Sequence, residues 1–175
     1  DSYFTSMIIS NSNSSGVSIP KSWYIEKSLY IAEGSELKGG NEHIHTIGES
    51  FTNKGTYSGE TSTIVFNGSP SVMGGMGTNN FHNLRISNGA ELRLYNSIHI
   101  SGDFICNSTF SALGRSVTFN GSTPSVISGT SAIIFDDLEL DKTSGSITLS
   151  VPVFINNSLT LTQGIINTTS TNLIT

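Results

Sequence analysis

The sequence predicts an all-β chain folded as a parallel β-helix, a β-solenoid of expected right hand, with about three coils in each repeat of roughly 54 residues. Three observations lead there. The first is self-similarity. Leu29-Tyr-Ile-Ala-Glu-Gly-Ser-Glu-Leu-Lys38 reads against Leu84-Arg-Ile-Ser-Asn-Gly-Ala-Glu-Leu-Arg93, and both run on to an Ile-His pair, Ile44-His45 and Ile98-His99. Leu84-Arg-Ile86 returns as Leu138-Glu-Leu140, and Thr56-Tyr57 through Val65-Phe-Asn-Gly68 returns as Thr109-Phe110 through Thr118-Phe-Asn-Gly121. A steady period is the mark of a unit stacked on itself. The second is a local period of two, which sends alternate side chains to opposite sides of a strand. The third is composition. Ser, Thr, Asn and Gly make up nearly half of the chain while only 12% is charged. Ser and Asn suit tight turns, and Thr, Val, Ile and Phe suit strands.

Taken in chain order, residues 1–28 match the repeat poorly and read as an N-terminal lead-in or cap, with Trp23 and Tyr24 after Pro20 closing a first coil. Residues 29–175 read as one continuous solenoid domain, with copies near 29–83, 84–137 and 138–175. The apolar i, i+2 pairs Leu84/Ile86, Leu92/Leu94, Ile98/Ile100, Val117/Phe119, Leu138/Leu140, Ile147/Leu149, Val153/Ile155 and Leu159/Leu161 each mark a strand of about three to five residues, bounded by Gly, Asn, Asp or Ser. No segment carries a helical stripe with an N-cap. Such strands are shorter than the ~5–6 residues usual in a sandwich. Coils of ~18 residues, nine or ten of them at ~4.8 Å, would make a rod of roughly 45 Å. Inward Ser, Thr and Asn would then have to stack as hydrogen-bonded ladders, because unpaired buried polar groups are costly. Thr171-Asn-Leu-Ile-Thr175 reads as the middle of a strand, so the expected partner is a neighbouring solenoid repeat, of this chain or another, docked end to end.

Composition also excludes. A net charge of −5 with eight scattered Lys and Arg argues against nucleic acid, whose phosphates need clustered cations. No apolar run approaches the ~20 residues of a membrane-spanning helix, so no membrane insertion is expected. No secretory signal opens the chain, which reads as cytosolic, already processed or part of something longer, the last two being favoured. The single cysteine, Cys106, follows Phe104 and Ile105 and reads as a buried thiol.

The strings Phe81-His-Asn-Leu-Arg-Ile86 and Phe135-Asp-Asp-Leu-Glu-Leu140, and the run from Ile147 to Ile166, resemble repeats of very large secreted proteins of Bacteroidetes, whose pattern is roughly F-N-N-L-x-I … G-x-V-x-L … x-V-x-V-x-G-x-L-x-L-x-x-G-x-I. The resemblance covers about residues 29 to 175, with Asp136-Asp137 in place of the usual Asn-Asn and no leading Phe before Leu29. It implies a secreted or cell-surface location, typically through type IX secretion, in adhesin-like or gliding-associated proteins. The motif residues of that family are structural, so no catalytic residue carries over.

Candidate chemistry is sparse. Asp137, Glu139 and Asp141, with Asp136, line one side of a strand and offer carboxylate oxygens suited to calcium; the bland alternative is a solvated acidic edge that discourages lateral sticking. His43 and His45 with Glu49 offer zinc ligands, against an outward polar face flanking an inward Ile44. Trp23 and Tyr95 are the candidates for an aromatic glycan platform, within a set that includes Tyr3, Phe4, Tyr24 and Tyr30. No Asp or Glu cluster with an adjacent Arg or Lys recurs from coil to coil, as sugar cleavage would need. The expected role is therefore a non-catalytic stalk, filament or adhesin scaffold without a cofactor. The alternative is a β-helix that binds or degrades polysaccharide.

Overall fold

The computed structural model describes residues 2–175. Every strand pairing among them is parallel, and none of them is helical. The chain winds through about eight coils of a β-solenoid. The first coil holds β1 (Ser2–Ile9) and β2 (Val17–Ser18), and the second β3 (Trp23–Ile31) and β4 (Glu36–Lys38). The third holds β5 (Ile44–Ile47), β6 (Ser50–Asn53) and β7 (Thr56–Ser58); the fourth β8 (Thr63–Phe66), β9 (Ser71–Gly75) and β10 (Thr78–Phe81). The fifth holds β11 (Asn83–Ile86), β12 (Glu91–Leu94) and β13 (Ile98–Ile100); the sixth β14 (Phe104–Cys106), β15 (Thr109–Ser111) and β16 (Ser116–Gly121). β17 (Ser125–Gly129) opens the seventh, after which β18 (Ile133–Leu149) and β19 (Val153–Asn167) bend round successive corners without a break.

The register sorts these strands onto three faces. On the first, Ile64, Leu84, Phe104 and Ile127 stand in one column. On the second, Leu29, Phe51, Met73 and Leu94 do the same. On the third the column is Ile98, Val117, Leu138 and Leu159. All but Leu159 are buried. Each coil alone has too few apolar residues to shield them from water. Stacking joins them into one dry column and pairs the backbone of each coil with the next.

Residues paired in register on neighbouring coils are 18 to 23 apart, mostly 20 to 22. The coils are thus longer than the ~18 residues expected, and about eight of them at ~4.8 Å give a stack of roughly 40 Å. The sequence repeat of roughly 54 residues spans about two and two-thirds coils, so each copy starts on a different face. Leu29 lies on the second face, Leu84 on the first and Leu138 on the third. The three faces can share one motif because each presents the same surroundings: an inward column, coils above and below, and a corner at either end. The fundamental unit is one strand with its turn, about seven residues long.

Among the described residues no structural break falls at the 28/29 boundary, which lies inside β3. β1 pairs with β3 from Ser2↔Trp23 to Ile9↔Ile31, and β2 pairs with β4. The described part of the segment read as lead-in or cap, residues 2–28, holds the first coil of the stack and the start of the second.

One buried asparagine pair bridges two coils in the anticipated way, while the buried Ser71 and Ser125 bond instead to backbone carbonyls of neighbouring coils. Asn53 Nδ2 donates to Asn79 Oδ1 and to the Thr78 carbonyl, both at 2.8 Å, and Asn53 Oδ1 accepts from the Gly55 amide at 3.0 Å. Asn79 continues toward the Gly77 carbonyl at 3.3 Å and the Ser97 carbonyl at 3.4 Å. Outside, Asn83 Oδ1 accepts from the Asp103 amide and Asp103 Oδ1 from the Val126 amide, each at 2.8 Å, linking three successive coils.

Candidate functional site

The acidic edge on β18 faces outward while Leu138 and Leu140 are buried on the other side of the strand. Its carboxylates do not converge. Asp136 accepts from the Gly114 amide at 2.6 Å and from Asn156 Nδ2 at 2.9 Å, and these bonds hold its pKa below the usual carboxylate value. Asp137 accepts from Asn157 Nδ2 at 2.6 Å and from Ser158 Oγ. Glu139 accepts from Thr118 Oγ1 at 3.1 Å in the coil before and from Thr162 Oγ1 at 3.2 Å in the coil after. Asp141 accepts from Gln163 Nε2 at 2.7 Å. Each member of the calcium set is engaged separately with a neighbouring coil. Among the described residues no group of three His, Cys, Asp or Glu is placed to hold a metal.

The histidine pair differs from expectation in its parity. His45 is the inward residue and Ile44 the outward one. The segment Ile44-His-Thr-Ile47 offers an apolar residue to either side. The column that contains Phe66 and Ile86 takes Ile47, so His45 turns inward with it. There it stacks on Trp23, with ring centroids 4.1 Å apart and planes at 14°. Its Nε2 lies 2.6 Å from the Gly39 carbonyl, so that nitrogen carries the proton and Nδ1 keeps a lone pair without a partner. Burial lowers the pKa of His45 to about 4; the bond to Gly39 opposes this and the neighbouring His43 adds to it.

The sign of the pH effect follows. An unfolded histidine takes a proton near pH 6.5, while folded His45 resists it down to about 4. Its contribution is therefore intact above pH 6.5 and is lost as the pH falls from there toward 4, amounting to at most about 3 kcal/mol. Thermal unfolding at pH 7 and at pH 4.5 should show a smaller acid-induced drop in a His45→Leu protein than in the parent. Equal drops would contradict this assignment.

Trp23, expected as a glycan platform, is 1% exposed and belongs to the core, so it cannot present a face to a sugar. Tyr95 is 52% exposed on the second face, but it forms no aromatic pair among the described residues and stands beside Gly74. The structure brings the two no closer than different faces of different coils. Cys106 matches its reading as a buried thiol: Sγ donates to the Ser108 carbonyl at 3.3 Å, and burial raises its pKa.

One polar feature was missed. Lys142 is 1% exposed, and its Nζ donates to the Asn120 carbonyl at 2.8 Å, Ser125 Oγ at 3.0 Å and the Ser101 carbonyl at 3.3 Å. It ties together the corners of three coils. Desolvation lowers its pKa, and the charge of Asp103 opposes that. Nearby, His82 Nδ1 is 3.0 Å from Ser101 Oγ, a further contact between coils. The signal for Lys142 was in its spacing, since Leu138, Leu140 and Lys142 share one parity.

The fold defines the class: a β-solenoid repeat protein. No family model matches the chain, and neither the curated proteins nor the solved structures give a significant match.

Proposed function

We propose that this chain is a non-catalytic structural segment of an exported cell-surface or extracellular protein, serving as stalk, filament or adhesin scaffold. The observation that carries the reading is the use of its side chains. Inward residues go to three continuous columns, and the most acidic stretch of the outer surface goes to hydrogen bonds between coils. A rod built this way gains length by adding coils, and each coil depends on its neighbours.

In this reading the partner is another stack of coils, docked end to end. Leu159 and Leu161 continue the column of Leu138 and Leu140 yet are 40% and 61% exposed, and a further coil on the same register is the cover that fits them. The resemblance to Bacteroidetes surface repeats supports export, typically by type IX secretion. Immunogold labelling of cells that make the protein tests the proposal. Label on intact cells, along surface fibres or in shed material, is expected. Label that appears only after the cells are permeabilised would overturn it.

A further inference from the structure

We propose that the outward Tyr3–Tyr24 pair on the first face is a binding site for a neutral glycan chain. This goes beyond the scaffold reading and does not depend on it. The two tyrosines are partners in register on neighbouring coils, with ring centroids 5.6 Å apart and planes at 39°. Tyr3 is 76% exposed and so offers ring surface to solvent. A hollow lies on either side of the pair. One, of about 350 Å³, is lined by Tyr3, Ser22, Tyr24, Ile44 and Thr46 above the buried Trp23. The other, of about 340 Å³, is lined by Tyr3, Thr5, Tyr24 and Glu26 together with Phe4.

This chemistry fits a sugar. A pyranose has a face of C–H bonds that packs on an aromatic ring, and an edge of hydroxyls that needs hydrogen-bonding groups around that ring. Here the rings and Ile44, which is 56% exposed, provide the apolar surface. Ser22 Oγ accepts from the Ile44 amide at 3.0 Å, which leaves its own hydroxyl hydrogen to donate. Glu26 supplies a carboxylate that accepts hydroxyl protons, and Thr5 and Thr46 supply hydroxyls. Tyrosines on adjacent coils are set by the ~4.8 Å strand spacing, comparable with the length of one sugar residue in a chain. Neither hollow is lined by Lys or Arg, and the net charge is −5, so a neutral glycan is favoured over an anionic one.

The test is a titration of the full chain with cellotetraose, chitotetraose and α-mannotetraose, followed by NMR shifts and calorimetry. Saturable binding of at least one is expected, with shifts centred on Tyr3, Tyr24 and Thr46. Tyr24→Ala should weaken it about tenfold or more, while Tyr24→Phe and Tyr95→Ala should stay within about threefold. A Tyr3→Ala protein provides a second loss-of-ring variant, and a thermal melt of each verifies folding. Absence of saturable shifts at these residues with all three sugars would overturn the proposal. So would undiminished binding by folded Tyr24→Ala.

Discussion

The Gly68→Ala protein is expected to lose more than about 4 kcal/mol of stability, or to fail to fold, through a single added methyl group. Gly68 lies at a corner between the first and second faces. A Cβ there would sit 1.7 Å from the Gly48 carbonyl oxygen, and one on Gly48 would sit 1.8 Å from the Glu26 carbonyl oxygen. Both obstacles are backbone, so no rotamer change relieves them; the coils would have to part. Coils that part lose their ladder hydrogen bonds and open the dry column between them. Gly89→Ala is the control. Gly89 has φ +76° but nothing within 4 Å of the new methyl, so only the left-handed backbone is strained, at a cost of about 1 kcal/mol. Urea unfolding of the two proteins checks the contrast. Equal and small losses would mean that no coil lies against Gly68.

The second large effect is expected from Phe104→Ala, at about 4 kcal/mol. Phe104 is fully buried on the first face of the sixth coil. Its ring meets Phe110 edge-on at 5.1 Å and Phe135 at 5.6 Å, which brings side chains from three strands together at the axis. Truncation removes the transfer energy of the ring, the aromatic contacts of roughly 0.5–1.5 kcal/mol per pair, and leaves a cavity that stacked backbones cannot readily close. Phe154→Ala is the comparison. That ring is 44% exposed on the outer side of β19, and its loss should stay under about 1 kcal/mol. Denaturant midpoints separate the two. Because neighbouring coils carry one another, the transition of Phe104→Ala should also broaden or split as the two ends of the stack uncouple.

The parallel stack was legible in the residues because alternation and repetition report the same physics. Leu84/Ile86, Leu92/Leu94, Ile98/Ile100 and Val117/Phe119 are all inward and buried, and Asp137, Glu139 and Asp141 are outward as their parity requires. Coil length was harder to see. A motif that serves all three faces recurs whenever any face comes round, so its period need not be a whole number of coils. The placement of His45 was ambiguous because Ile44 and Ile47 compete for the inside, and only the register with β8 decides. Trp23 was misread for a related reason: its large ring suggests a surface platform, but its parity matches that of Ile25, and both are buried. Tyr3 and Tyr24 belong to the aromatic set the residues offer, but their pairing is not legible there, since it depends on which residues stand opposite across two coils.

The most direct measurement of the whole account is the sense of strand pairing in solution. Nuclear Overhauser contacts between β3, β6 and β9 should advance together, with Ser28 near Ser50, Ile31 near Asn53, Ser50 near Val72 and Asn53 near Gly75. Contacts in which one strand's numbers rise while its neighbour's fall would describe an antiparallel sheet, and would contradict the stacked coils and the role drawn from them.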